Sequence, residues 1–200
     1  MIEIGWKLKA LHREILLSAT WLQSQTPSPA KAAVDPENRW FWRFPTHRLE
    51  AEIIRDAMLA ASGQLDPRMF GPGTLDPGHR RRSIYFMIKR SRLVPMMQIF
   101  DQPEPLTSQG RRPSTTIAPQ ALLFMNNPHV IDWAAGFAES VDGQTIDDAI
   151  REIYLRALGR HPSPQELVEN RGFVEQQTAS YGDAKNPRRL ALADLCQAVF

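Results

Sequence analysis

The sequence predicts an all-α fold: an irregular domain of about seven helices joined by long Pro/Gly loops, with at most one short strand pair near residues 83–89. Three observations carry that expectation. Apolar residues recur at helical spacing in segment after segment. Sixteen prolines punctuate the 200 residues, which favours short helices separated by firm turns. Several of those prolines stand just inside a helix start, the position that tolerates a missing N–H.

Each element can be justified in order. Leu8, Leu11, Ile15 and Leu16 share one helical face, so a first helix is expected over roughly 6–23. The Pro/Ala/Ser stretch TPSPAKAA then reads as part of a surface linker, 24–34. DPENRWFWRF is a turn followed by Trp40, Phe41, Trp42 and Phe44, and alternating aromatics of this kind are usually loop anchors set into a core. Thr46 is placed to cap a helix from His47 to about Ser62, with Gly63 closing it. Residues 63–79 hold four glycines and three prolines and read as a loop. SIYFMIK is short and rich in Ile, Tyr and Phe, so length favours a strand; PMMQIF suits a single helical turn. Thr116 leads a helix from about Ala118 to Phe124, and Pro128 starts another through Ser140. A helix from about Thr145 to Leu158 follows. In HPSPQE, Ser163 stands three residues before Glu166 with Pro164 between, a capping box that starts a helix to about Ser180. Asn186-Pro187 starts the last helix.

Composition bounds the function. Apolar residues at 42% can build a core, and a net charge of +2 does not call for a polyanionic partner. No run approaches the roughly 18 apolar residues of a membrane span. The segment MIEIGWKLKALHR lacks the apolar stretch of a signal peptide. The single cysteine, Cys196, excludes an internal disulfide and a CxxCH haem attachment within this chain, so no cofactor is expected in it. LALADLCQAVF runs to Phe200 without a capping residue, and both ends read as cut. The expectation is one helical domain over 1–200, truncated at both ends, with 141–200 as a C-terminal helical subdomain.

The motifs GWKLKALHR, DPENRWFWRF, RLEAEIIRDAMLAASG, RRRSIYFMIKR, FDQPEP, RRPSTTIAPQALLFMNNP and YLRALGRHPSPQEL occur in that order. This series resembles a planctomycete domain of unknown function found at the C-terminal side of large proteins with cytochrome-c-like segments. The resemblance covers nearly the whole chain. It implies a periplasmic or cell-envelope setting, haem elsewhere in the full-length protein, and other domains of the same polypeptide as partners. Related chains often carry a cysteine just before the Arg pair; here the run is TSQGRR, so any role of that thiol is absent.

The candidate site lies in and around Phe100–Asn127, where an acidic turn, an Arg pair and a Ser/Thr run precede a helix. Polar, Pro-punctuated segments of this kind are where a scaffold presents groups to partners. Arg81, Arg90, Asp101, Arg111 and Arg112 are the expected binding residues. The run Arg80–Arg92 holds six basic residues and no acid, suggesting an anion site. Asp101 and Glu104 could instead be gripped by these arginines in an internal clamp, which the interleaved Ile84, Phe86 and Ile88 favour. Arg48, Glu52, Arg55 and Asp56 have i,i+3 and i,i+4 spacings that suit surface charge pairing better than acid–base chemistry, since facing arginines hold both carboxylates ionised. Cys196 reads as a small buried hydrophobe. The five histidines are at least 32 residues apart, with no metal-ligand spacing. No GxSxG, Walker or GxGxxG motif occurs.

Three function classes remain: a non-catalytic helical binding module, a polysaccharide hydrolase whose carboxylates (Glu50, Asp56 or Asp101) assemble in the fold, and a polyanion-binding module using Arg80–Arg112. Missing catalytic motifs favour the first. Polysaccharide or another envelope protein are further partners to consider; nucleic acid would call for a larger basic excess.

Overall fold

The computed structural model describes residues 5–200, and among these the chain forms nine α-helices and one short 3-10 turn, with no sheet. The backbone divides into two units, 1–48 and 49–200.

The smaller unit contains α1 (Leu8–Leu16) and α2 (Pro29–Val34). The first helix is shorter than its periodicity predicts, and no residue of either helix is buried. The expected linker is itself partly helical: Pro29 sits in the first turn of α2 and is followed by Ala, Lys, Ala, Ala, good helix formers. Asp35 organises the aromatic loop. Its carboxylate accepts from the Arg39 and Trp40 N–H groups at 2.9 and 2.8 Å, while its carbonyl accepts from Trp42 Nε1 at 2.8 Å. This tight turn puts Phe41 in the left-handed region. Only half of the aromatic run is therefore anchored. Trp42 is half-buried and Phe44 meets Trp21 edge-on, but Trp40 and Phe41 are exposed.

The larger unit holds α3 (Ala51–Ala61), α4 (Pro95–Ile99), α5 (Ala118–Asn126), α6 (Pro128–Glu139), α7 (Ile146–Leu158), α8 (Pro164–Ser180) and α9 (Pro187–Val199). Helix α3 begins at Ala51, with Glu50 rather than Thr46 as its N-cap. Burial starts at Ala51, whereas His47–Glu50 are exposed, so an earlier turn would gain no packing. The later helices match the sequence signals closely. The Ser163 hydroxyl accepts from Glu166 N at 3.2 Å, and Glu166 returns the favour to Ser163 N at 2.8 Å. Helix α7 is capped by Thr145 and ends on Gly159, whose φ of +66° is the left-handed geometry such a stop requires.

SIYFMIK is not a strand. Ser83–Tyr85 makes a 3-10 turn, and Phe86 pairs with Thr74 in an isolated bridge. The cause is local: the Asp56 carboxylate accepts from both Ser83 N and Ser83 Oγ, at 2.8 and 2.7 Å, which draws the chain inward at one point. Ile84 and Ile88 are left exposed while Phe86 is buried.

Two apolar clusters form the core of this unit. One gathers Phe137, Ile150, Ile153, Val174, Leu192 and Leu195 from α6–α9. The other gathers Leu59, Phe86, Met97, Phe100, Leu123 and Trp133 from α3–α6 and the 86–100 segment. Helix α6 serves both, with Val130 and Trp133 on one side and Ala134, Phe137 and Ala138 on the other. Full burial of each large side chain contributes roughly 1.5–3 kcal/mol. Cys196 is buried in the first cluster, and burial pushes its thiol up to about 12.

Candidate functional site

Helix α3 carries a polar network that runs across the larger unit. Ala51, Arg55, Met58 and Leu59 are all buried, so Arg55 occupies an apolar stripe. Its side chain is 1% exposed. Nη1 donates to the Arg81 carbonyl at 3.0 Å and to Ser83 Oγ at 3.2 Å, and Nη2 donates to the His79 carbonyl. The guanidinium lies over the rings of Phe86 and Trp133, 4.9 and 5.6 Å from their centroids. Among the described residues its one carboxylate contact is a long one, 3.4 Å to Asp56. Desolvation lowers its pKa to about 10, partly offset by Asp56. The expected surface pairing of Arg55 with Glu52 is thus replaced by an inward-facing cation.

Glu52 pairs elsewhere. Arg112 reaches back from the 100–117 segment and donates to Glu52 at 2.8 Å and Glu50 at 3.1 Å, while its Nε donates to the Asp101 carbonyl at 3.1 Å. An internal arginine clamp exists, but its carboxylates come from α3 rather than from Asp101 or Glu104. The Asp101 carboxylate is occupied by Thr115, accepting from N at 2.6 Å and from Oγ1 at 2.9 Å. Asp101 holds a φ of +60°, a conformation costly for a residue with a Cβ and kept here by these bonds. Buried Gln120 extends the chain of contacts, donating to the carbonyls of Ile99 and Thr115 at 2.9 and 3.2 Å.

The remaining sequence-selected residues lie apart. Arg81 stacks on Tyr85 at 3.5 Å and donates to the carbonyls of Pro72 and Phe70. Arg80 pairs with Asp132 at 3.3 Å. Arg90 and Arg111 are exposed. His79, half-buried, meets Phe86 edge-on at 4.5 Å, and burial followed by the Arg55 charge lowers its pKa. Sequence reasoning missed Ser83, Gln120 and His79 as network members. It also treated Arg55 as a surface charge, although its place on the 51-55-58-59 stripe was visible.

A groove of about 390 Å³ lies beside this network, lined by Glu50, Glu52, Asp56, Ser83, Phe86 and Met97 among others. Ile53, Ile84 and Ile88 also line it and are exposed. Each of its three carboxylates has a partner: Arg112 holds Glu50 and Glu52, and Ser83 with Arg55 holds Asp56. Among the described residues no group of three His, Cys, Asp or Glu side chains is placed to hold a metal ion. No helix among them is long and apolar enough to cross a membrane.

The family model described as PSD1, protein of unknown function (DUF1553), matches residues 1–174. The chain belongs to the PSD1 family. Neither the curated proteins nor the solved structures contain a match. In this PSD1 chain the matched region spans both units, the α3 network and the groove; the end of α8 and all of α9, with Cys196, lie beyond it.

Proposed function

We propose that this PSD1 chain is a non-catalytic helical binding and scaffold module of a larger planctomycete envelope protein with cytochrome-c-like segments, and that it docks onto other domains of the same polypeptide. One observation carries the reading: every carboxylate of the α3 groove is engaged by an arginine or a serine. General acid catalysis needs a carboxyl with a raised pKa, and an adjacent guanidinium opposes that. The bonds of these groups instead tie α3 to the 79–83 and 99–120 segments, a structural task. The exposed Ile53, Ile84 and Ile88 flank the same groove and supply the apolar surface that docking uses.

The hydrolase reading retains one supporting observation, three carboxylates beside an aromatic in one groove. The polyanion reading is weakened by Arg80 and Arg112, whose charges already face Asp132, Glu50 and Glu52. The test is photo-crosslinking from position 88 in the full-length protein. Adducts with other domains of the same polypeptide support docking. Turnover of plain or sulfated glycans, abolished by Asp56→Asn with folding intact, would replace this reading with the enzyme.

A further inference from the structure

A second cavity, of about 170 Å³, lies between Arg55 of α3, the start of α4, the start of α6 and the turn at Pro77. Its walls are mostly flat and apolar: Pro77, Val94, Pro95, Met96, Pro128 and Trp133. The polar groups on its lining are Arg55, Asn127 and His129, and no Asp or Glu is among them. Asn127 uses its Oδ1 to accept from His129 N and Val130 N at 2.9 and 3.4 Å, which leaves its amide NH2 as a donor.

Arg55 has an unmet need at this place. Its Nε is buried and has no hydrogen-bond partner, although Nη1 and Nη2 are supplied by carbonyls and a hydroxyl. Asp56 places its short bonds on Ser83 and meets Arg55 only at 3.4 Å. A buried cation is ordinarily paired, and a buried donor left unmade carries its full desolvation cost. Carbonyl dipoles and two aromatic faces compensate the charge in part. A further anion at the cavity would complete it.

We propose that this cavity binds a small organic carboxylate, its anionic end on Arg55 Nε and Asn127 and its apolar body against Pro95, Met96 and Trp133. The volume sets the size: a dry cavity of about 150 Å³ accommodates benzene, so a ring of that size bearing a carboxylate fits, part of it at the open mouth. The site is separate from the docking groove, and its failure would leave the docking reading untouched.

The experiment uses benzoate as the probe and benzamide as its neutral isostere on the full chain. In a nitrogen–proton correlation spectrum that resolves arginine Nε–H groups, benzoate should shift the Arg55 resonance. Its Kd should be about 1 mM or tighter, as expected for a ligand of so few atoms. Benzamide should bind at least tenfold more weakly. Pro95→Trp, at an exposed position on the cavity wall, should weaken benzoate at least tenfold with an unchanged melting temperature. Pro77→Trp repeats the block from the opposite wall, should Pro95→Trp disturb folding. An unmoved Arg55 Nε–H signal, equal affinity for benzamide, or full binding in a folded blocked variant would overturn the site.

Discussion

Replacing Arg112 by alanine tests whether the α3 network is a structural clamp. The side chain is 20% exposed, placing it between the solvated and buried limits. It makes three bonds, to Glu50 at 3.1 Å, Glu52 at 2.8 Å and the Asp101 carbonyl at 3.1 Å. Solvated ion pairs contribute about 0–1 kcal/mol, and breaking a buried pair costs about 3–5 kcal/mol. Four-fifths burial with both carboxylates partly open to water argues for a loss of about 2 kcal/mol. For a domain of this size 1 kcal/mol moves Tm by about 2–4 °C, so a drop of about 4–8 °C is expected. Circular-dichroism melting near pH 7 reads it directly. Arg112→Lys should recover part of the loss, keeping charge but not the fork that reaches two carboxylates. A double-mutant cycle with Glu52→Gln should give a coupling of about 1 kcal/mol. A melting temperature within about 1 °C of the parent would refute the clamp, because no partly buried three-bond arginine should be that dispensable.

Asp56→Ala should cost about 3 kcal/mol in a denaturant titration, since it frees the Ser83 donors and removes the carboxylate nearest a buried guanidinium. Gly143→Ala should destabilise by about 1–3 kcal/mol, read the same way, because its new Cβ would stand 2.3 Å from the backbone N of Ala149 at the start of α7. Glu166, held by Arg160 and by the Ser163 N–H, is pushed down from an ordinary 4.5 to about 2. A depressed carboxyl contributes stability that is present above its unfolded pKa and lost as pH falls toward the folded one. Amide protection in the first turn of α8, taken relative to the intrinsic exchange rate at each pH, should accordingly fall between about pH 4.5 and pH 2. Cys196, pushed up to about 12, should resist thiol reagents at pH 8 in the native chain and react fully in denaturant. Its raised pKa gives stability that is complete below the unfolded value near 9 and lost as pH climbs toward 12.

Legibility in the sequence follows how local each signal is. The later helices were readable because their starts are self-contained: Ser163-Pro164-x-Glu166 and Thr145 make their caps within three residues, whatever the rest of the chain does. Ser83–Phe86 was misread as a strand because its conformation is decided by Asp56, 27 residues away. Likewise α3 starts at Ala51 because burial begins there, and Glu50 is called to Arg112 across 62 residues. Propensity cannot anticipate such contacts. Asp101, Arg111 and Arg112 read in the sequence as one polar cluster. Asp101 and Arg112 do meet, Arg111 stays exposed, and the Glu50 and Glu52 partners of Arg112 were not legible because they lie 62 and 60 residues away.

Arg55 shows what a closer reading could have found. Charge spacing alone pairs it with Glu52 on a solvated face, a contact worth a few tenths of a kcal/mol. Hydrophobic periodicity places it on the buried 51-55-58-59 stripe instead. The two readings make opposite demands, because a solvated arginine needs nothing while a buried one needs acceptors for five N–H groups. The chain meets that demand for Nη1 and Nη2 with the carbonyls of His79 and Arg81, the Ser83 hydroxyl and two aromatic faces, leaving Nε without a partner, and so the irregular 79–86 segment must run where it does. A charge on an apolar stripe therefore predicts a loop wrapped around it. In this chain Arg82, Ser83, Ile84 and Phe86 of that loop line the carboxylate groove while Arg55 itself lines the donor-bearing cavity, so one buried side chain is tied to both surfaces on which a ligand or a partner would act.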